Sequence, residues 1–207
     1  MIEGQIRPNE VTDSRILQAF SDIPRELFVP RELRGVAYVD EDIEVATGRS
    51  LIEPMVLARL IQAVEIEAGD VVLDVGCASG YSSAILAGLA GSVVALEEDV
   101  ALGHQAKALL AELQCDNVVV VSGPLAKGFV KQAPYDAIVI NGMIEELPSE
   151  FEKQLAEGGR LAAVVLTEGV GRAALFLKTG GVLGRRDLFD AHVAPLPGFQ
   201  KPSGFQF

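Results

Sequence analysis

A glycine-rich turn between a predicted strand and a predicted helix constrains the fold of this chain most. It reads L-D-V-G-C-A-S-G-Y and runs from Leu73 to Tyr81. The run 71–75 is apolar and rich in β-branched residues, which is typical of a strand buried on both faces of a parallel sheet. Gly76 lets the backbone turn sharply, and Gly80 permits close packing where the helix begins. This order of elements predicts a turn at the ligand-binding edge of an open α/β sheet.

The alternation of strand and helix continues to the end of the chain. Short connections between the elements favour a doubly wound, mostly parallel sheet. Gly180-Gly181 lies between two apolar runs and predicts a hairpin, so we expect antiparallel strands at the C-terminal end of the sheet. The predicted strands are 71–75, 92–96, 118–121, 135–140, 160–166, 173–179 and 182–189, and the predicted helices are 82–89, 100–113 and 148–156.

The N-terminal part of the chain differs from the rest in being more helical and more charged. Thr12 and Asp13 are candidate caps of a first helix, and Pro54 suits the start of a second. We therefore expect a single domain over all 207 residues, with an N-terminal helical extension, 1–65, and an α/β core, 66–207.

Composition excludes several classes of protein. The chain has 17 basic and 29 acidic residues, a net charge of −12, which does not suit a general nucleic-acid binder. Its apolar runs are much shorter than the roughly 20 residues of a membrane span, and the N-terminus lacks a signal core. Cys77 and Cys115 lack metal-site spacing, and His104 and His192 lie far apart in sequence. We expect a cytoplasmic protein with reduced thiols, no metal and neither nucleic acid nor membrane as a partner.

Two acidic residues end the first two predicted strands of the core. Asp74 directly precedes the glycine turn and could accept a hydrogen bond from a ligand ammonium group. Glu97 follows Gly80 by 17 residues, where a carboxylate can accept hydrogen bonds from both hydroxyls of a ribose. Glu98 and Asp99 are alternatives of register for that role. The G-x-x-x-G spacing differs from the G-x-G-x-x-G of dinucleotide binders and argues against a nicotinamide cofactor.

These motifs resemble those of class I S-adenosylmethionine (SAM) dependent methyltransferases, and nearly the whole chain resembles the protein-L-isoaspartate O-methyltransferase family. The first family motif corresponds to Leu73–Gly80 and its acidic strand end to Glu97. The more specific similarity lies in further segments: Ile23–Pro30 (family pattern V-P-R-E-x-F-V), Tyr38 with the acidic residues after it (A-Y-x-D), Gly48–Ala58 (G-Q-T-I-S-Q-P-x-x-V-A), Tyr135–Val139, and Leu155–Leu161 (L-x-x-G-G-R-L).

The resemblance implies a Rossmann-like fold and methylation of the α-carboxylate of isoaspartyl residues in damaged proteins, with SAM as cofactor and S-adenosyl-L-homocysteine (SAH) as product. It places the N-terminal extension on the substrate side. A carboxylate with a pKa near 4 is already ionised at pH 7, so the reaction needs no strong general base. The residues implied in cofactor binding are Asp74, Gly76, Cys77, Ala78, Ser79, Gly80, Glu97 and Gly123.

The sequence departs from the family pattern at ligand-facing positions. Ile52 stands where the family has its active-site serine, which leaves Ser50, in the place of the family threonine, as the catalytic candidate. An unpaired buried polar group costs roughly 1–3 kcal/mol, so the loss of that serine is consequential. Arg49 either pairs with a carboxylate substrate or is an exposed loop arginine. Pro124 replaces an aspartate that helps to hold the adenine, and 141–148 replaces the family's T-A-A loop.

These departures keep other functions open. One is a SAM-dependent methyltransferase with a different acceptor, and another is a SAM- or SAH-binding paralogue that has lost methyl transfer. An NAD-dependent oxidoreductase is a more distant alternative because of the glycine spacing. The C-terminal segment 195–207, with Phe199, Phe205 and Phe207, is expected either to pack back on the domain or to meet a partner.

Overall fold

The computed structural model describes residues 1–201 and has one seven-stranded sheet at its centre. The strands of this sheet are β3 (Val71–Val75), β4 (Ser92–Glu97), β5 (Val118–Ser122), β6 (Tyr135–Ile144), β7 (Leu155–Thr167), β8 (Val170–Thr179) and β9 (Val182–Asp190). Their order in the sheet is β5-β4-β3-β6-β7-β8-β9, parallel from β5 to β7 and antiparallel from β7 to β9. The predicted doubly wound, mostly parallel α/β fold with an antiparallel C-terminal hairpin is confirmed.

Within residues 1–201, five α-helices and several short helical turns surround the sheet. The helices are α1 (Ser14–Asp22), α2 (Pro54–Ala63), α3 (Tyr81–Ala87), α4 (Val100–Glu112) and α5 (Ser149–Gln154), with 3₁₀ turns at Arg7–Asn9, Arg25–Phe28, Arg31–Val36, Leu125–Lys127 and Val130–Gln132 and a π turn at Ile2–Ile6. Asp13 caps α1 by accepting a hydrogen bond from the Arg15 amide, and Pro54 is the first residue of α2, as their positions in the sequence indicate. No helix in residues 1–201 is long and apolar enough to cross a membrane.

A small antiparallel hairpin lies outside the main sheet and has no counterpart in the predicted elements. It pairs β1 (Ile43–Ala46) with β2 (Arg49–Leu51), and Gly48 turns between them with a positive φ of 68°. The sequence signal is weak because the two strands are only four and three residues long. Their register sets Ser50 opposite Glu44, and the alternation of strand faces leaves Arg49 and Leu51 buried.

The two faces of the sheet are covered unequally. Alternate residues of β3 belong to separate clusters, Val72 to one face and Leu73 and Val75 to the other. The Val72 face packs against α1–α4 and the N-terminal segment. The opposite face is covered by α5, the turn at Leu125 and a C-terminal segment that includes Leu196 and Phe199. Phe199 stacks on Phe151 of α5 with the ring centroids 6.0 Å apart, so this part of the chain packs back on the domain, while Phe205 and Phe207 lie outside the described residues.

Candidate functional site

The glycine turn joins β3 to α3 at the carboxyl edge of the sheet. The amides of Gly76 and Cys77 both donate to the Leu96 carbonyl at the end of β4, at 2.9 and 3.2 Å. Gly80 precedes α3 with a φ of 97°, and a Cβ there would come within 3.1 Å of Ala106 on α4. The turn therefore needs glycine for backbone conformation and for close helix packing.

Asp74, at the end of β3, is fully buried and hydrogen-bonded within the protein. Its Oδ2 accepts from the hydroxyls of Ser82, at 2.8 Å, and Ser83, and its Oδ1 accepts from the Asn141 amide at 2.5 Å. Burial raises the pKa of Asp74, and the three hydrogen bonds act in the opposite direction. Asp74 thus has hydrogen-bond donors on side chains of its own chain, and its role toward a ligand ammonium group stays a prediction.

Glu97 ends β4 and is also fully buried. Its Oε1 accepts from Arg49 Nε at 3.1 Å and from the amides of Glu98 and Asp99 at 3.0 Å each. Its Oε2 accepts from Arg49 Nη2 at 2.6 Å and from the Ala78 amide at 2.7 Å. A carboxylate has about four lone-pair positions, so these five contacts use its full acceptor capacity.

Arg49 is the partner that sequence reasoning did not assign to Glu97. It reaches from β2 to the end of β4, is 5% exposed, and lies with its Nη2 atom 3.1 Å from where a Cβ on Gly76 would be. The expectation of an exposed loop arginine is wrong, because Arg49 forms a buried two-point ion pair with a carboxylate of its own chain. The signal that could have found it was a buried carboxylate at the end of β4, which requires a cation or several donors.

The C-terminal segment covers the same turn from another direction. Leu196 donates its amide to the Met143 carbonyl at 2.8 Å, and Met143 donates its amide to the Ala194 carbonyl at 2.9 Å. A Cβ on Gly76 would lie 2.9 Å from Leu196 Cδ1, and one on Gly142 would lie 3.0 Å from Leu196 Cβ. Because neither glycine has a Cβ, the Leu196 side chain can pack directly against both of them. The sequence did not predict this contact.

The remaining candidate residues lie around these contacts. Ser50 and Ile52 line a small cavity together with Gly76 and Cys77, so the structure brings the catalytic candidate to the glycine turn. Burial raises the pKa of the Cys77 thiol well above its usual range, which keeps the sulfur neutral. The Ser79 hydroxyl donates to the Phe28 carbonyl at 2.5 Å and so joins the turn to the N-terminal extension.

Gly123 lies at the end of β5, next to Glu97 in the sheet. Its amide donates to the Glu97 carbonyl at 3.3 Å, and the Ser122 hydroxyl donates to the same carbonyl at 3.3 Å. Pro124 follows and begins the turn that buries Leu125. These contacts engage the backbone of Glu97 and leave its carboxylate to Arg49 and the neighbouring amides.

Arg25 is a second buried arginine that the sequence did not single out. Its Nε and Nη2 donate to the carbonyls of Ala37 and Ile52, each at 2.9 Å, and its guanidinium lies 4.8 Å from the centre of the Tyr81 ring. Within residues 1–201, Arg25 Nη1 and the Tyr81 hydroxyl have no hydrogen-bond partner, and both residues line the small cavity. Arg25 therefore fixes the backbone of Ile52 against α3.

The space next to the glycine turn does not fit a ligand as large as SAM. The small cavity measures about 10 Å³, the room of about one water molecule, whereas ligand pockets usually enclose about 300–1,000 Å³. A larger concavity of about 610 Å³ lies between the end of α2 and the strands β8 and β9, and none of the glycine-turn residues line it. The described arrangement around the turn is therefore closed.

Comparisons with known proteins relate the whole chain to one family. The sequence model of the protein-L-isoaspartate(D-aspartate) O-methyltransferase (PCMT) family matches residues 1–195. The chain is 39% identical over 165 residues to the protein-L-isoaspartate O-methyltransferase of Methanoculleus marisnigri, covering 80% of this chain and 75% of that protein. It is 34% identical over 200 residues to the one from Koribacter versatilis, covering 97% and 90%.

Two solved structures have the same fold. A protein-L-isoaspartate O-methyltransferase superimposes with a TM-score of 0.80 at 25% identity, covering 93% of this chain but 63% of that one. A putative family member from Plasmodium falciparum, solved in complex with SAH, superimposes with a TM-score of 0.77 at 20% identity, covering 92% of this chain and 94% of that one. This chain therefore spans less than two thirds of the first structure and nearly all of the second.

Proposed function

The chain belongs to the protein-L-isoaspartate(D-aspartate) O-methyltransferase family, and from this premise we propose that it transfers a methyl group from SAM to the carboxylate of isoaspartyl residues in damaged proteins. One observation carries the proposal. The family match runs through residues 1–195, and it includes the glycine turn together with the two acidic strand ends, Asp74 and Glu97. These carboxylates lie on adjacent parallel strands at the edge where such sheets bind ligands.

The proposed cofactor residues are Asp74, the turn 76–80, Glu97 and Gly123, with Ser50 as the candidate catalytic residue. When bound, SAM would supply the methyl group, with SAH as the product. In this proposal the chain binds and orients the two reactants, and holding them in line accounts for most of the acceleration. The acceptor carboxylate is ionised at neutral pH, so a buried neutral thiol such as Cys77 need not act as a base.

The proposed partners and location follow from charge and thiol chemistry. A net charge of −12 disfavours binding to nucleic acids and to anionic membrane surfaces. The charge does not favour an anionic substrate either, so the proposed protein or peptide substrate rests on the family match. Cys77 and Cys115 are both free thiols, as is usual in a reducing compartment. We therefore propose isoaspartyl-containing proteins as substrates and the cytoplasm as the location.

Methyl transfer from labelled SAM to an isoaspartyl peptide tests the proposed function. The matched control is the same peptide with a normal aspartate, which presents its carboxylate from a different backbone position. We expect label on the isoaspartyl peptide alone.

We expect Ile52→Ser to raise the rate of this methyl transfer about tenfold, because a hydroxyl at this cavity-lining position adds one hydrogen bond to the substrate. Equal labelling of both peptides, or of neither while SAH binds, would overturn isoaspartyl specificity.

A second candidate function is binding of SAM or SAH without transfer, and the substitution at Ile52 favours it. Ile52 is 3% exposed and lines the cavity beside Ser50, where it offers no polar atom in its side chain. The same assay separates the two functions. Binding of SAH without label on either peptide, in both the wild type and Ile52→Ser, would support the second candidate.

A further inference from the structure

The closure of the glycine turn by the chain's own side chains has a functional consequence. We infer that Arg49 and Leu196 occupy the cofactor site of this protein, so that SAM binds only when both leave, and that Arg49 sets the affinity for it. The inference rests on the proposed function, in which Glu97 holds the cofactor ribose.

The carboxylate of Glu97 already accepts hydrogen bonds from five donors. Three of its five donors are backbone amides, those of Ala78, Glu98 and Asp99, which are fixed by the turn and by the end of β4. The other two donors belong to Arg49. Ribose hydroxyls need lone pairs on both carboxylate oxygens, and Arg49 is the donor that can be removed from both at once.

The ion pair between Arg49 and Glu97 is buried and short. The side chain of Arg49 is 7% exposed and that of Glu97 fully buried, with 2.6 Å between Nη2 and Oε2. Hydrogen bonds to the Glu97 carboxylate are charge-assisted whether the donor is Arg49 or a ribose hydroxyl, but only Arg49 adds an opposite charge in a two-point geometry. Neutral ribose hydroxyls would replace that ion pair, so the exchange lowers the observed affinity for the ligand.

Leu196 packs directly against the backbone of the glycine turn at Gly76. Its Cδ1 atom lies at the distance of a clash from any Cβ on Gly76, so it fills the approach that the glycine would otherwise leave to a ligand. Ligand contact with the backbone of the turn therefore requires Leu196 to move, in addition to Arg49.

Asp42 links the segments that carry Arg49 and Leu196 by hydrogen bonds. One oxygen of its carboxylate accepts from the Glu53 amide at 2.8 Å, next to β2, and the other accepts from the Ala194 amide at 2.5 Å, next to Leu196. Asp42 thus holds both covering segments in place by one carboxylate. We expect the two segments to open together when a ligand enters.

Calorimetric titration with SAH tests the inference. The variants are Arg49→Gln, which keeps a polar side chain without the charge, and Leu196→Ala, which leaves the ion pair intact. Arg34→Gln is the control, because it removes the charge of an exposed arginine in the same N-terminal extension. We expect at least a tenfold tighter Kd for Arg49→Gln, a smaller gain for Leu196→Ala, and no change for Arg34→Gln.

The possible results separate this inference from the proposed function. Equal SAH affinity in the wild type and Arg49→Gln would overturn the inference and leave the cofactor assignment in place. Absence of SAH binding in the wild type and in all variants, with each shown to be folded by its thermal unfolding, would overturn both. Tighter binding by Arg49→Gln supports the inference whether or not an isoaspartyl peptide is methylated.

Amide hydrogen exchange of the wild type provides a test that does not depend on any variant. Saturating SAH is expected to speed exchange at Ala194 and Leu196, whose amides are bonded in the closed arrangement, and to slow it at Ala78. Slower exchange at Ala78 without faster exchange at the other two would show that the ligand enters the closed site, and would overturn the inference.

Discussion

The two halves of the candidate site differ in how they are built. The core half consists of β3, the glycine turn and the end of β4, and all of it lies within 27 consecutive residues, 71–97. The covering half consists of the β1–β2 hairpin and the C-terminal segment around Leu196, which are distant from each other in sequence. The core half contains Asp74, the glycine turn and Glu97, and the covering half places Arg49 and Leu196 against them.

Whether a carboxylate can accept hydrogen bonds from a ligand depends on the protein donors that already contact it, as well as on its position in the fold. Glu97 lies where a ribose-binding carboxylate is expected, yet its side-chain contacts outside its own turn and strand end come from Arg49, 48 positions earlier in the chain. Asp74 likewise lies at the predicted place and is bonded to Asn141, 67 positions later. A local motif therefore predicts the chemistry of the site, and long-range contacts determine its availability.

The largest effect is expected from Glu97→Ala, which breaks the contact between the two halves. The change leaves Arg49 buried without a counter-charge and removes the acceptor of the Ala78 amide. Loss of one partner of a buried pair costs about 3–5 kcal/mol of unfolding free energy. Urea unfolding would measure it, with exposed Glu98→Ala as the matched control. A loss below about 1 kcal/mol would mean that the ion pair behaves like a surface pair, and that the halves are weakly joined.

A smaller effect is expected from Asp42→Ala, which affects only the covering half. The change removes the shared acceptor of the Glu53 and Ala194 amides, and hydrogen bonds to a charged group contribute about 2 kcal/mol. Asp40→Ala removes an equal charge from an exposed neighbour and serves as control. We also expect faster amide exchange at Leu196 in Asp42→Ala. Unchanged exchange there would show that the C-terminal segment is held independently of the hairpin.

The core half is also the part that the sequence predicts well. The strand 71–75 and the glycine turn follow from local rules of periodicity and turns, and outside this half the same kind of rule places the cap at Asp13 and the start of α2 at Pro54. The covering half follows no such rule. The strands of the β1–β2 hairpin are only four and three residues long, and the burial of Arg49 depends on a partner on another element. Propensity and spacing contain no information about that contact, because packing between distant segments creates it.

The smallest effect is expected from pH, and it again distinguishes the two halves. Burial, with the nearby charges of Asp40, Asp42 and Glu41, raises the pKa of Glu53 in the covering half from 4.5 to about 7. Between these values the folded protein holds a proton that the unfolded chain releases, so this residue's contribution to stability falls as pH rises from about 5 to about 8.

Glu53→Gln removes that dependence and is expected to raise Tm by about 2 °C at pH 8 while changing it little near pH 5. Glu146→Gln, at an exposed position, controls for the change in net charge. Burial also raises the pKa of Asp42 and Asp74, so the stability of Glu53→Gln still falls somewhat with rising pH, and only the difference between the wild type and this variant reports on Glu53. If SAH binds more tightly at pH 8 than at pH 6 in the wild type but not in Glu53→Gln, ionisation of Glu53 loosens the covering half. Identical Tm profiles in both proteins would instead show that Glu53 is solvated and that the stability of this half is independent of its charge.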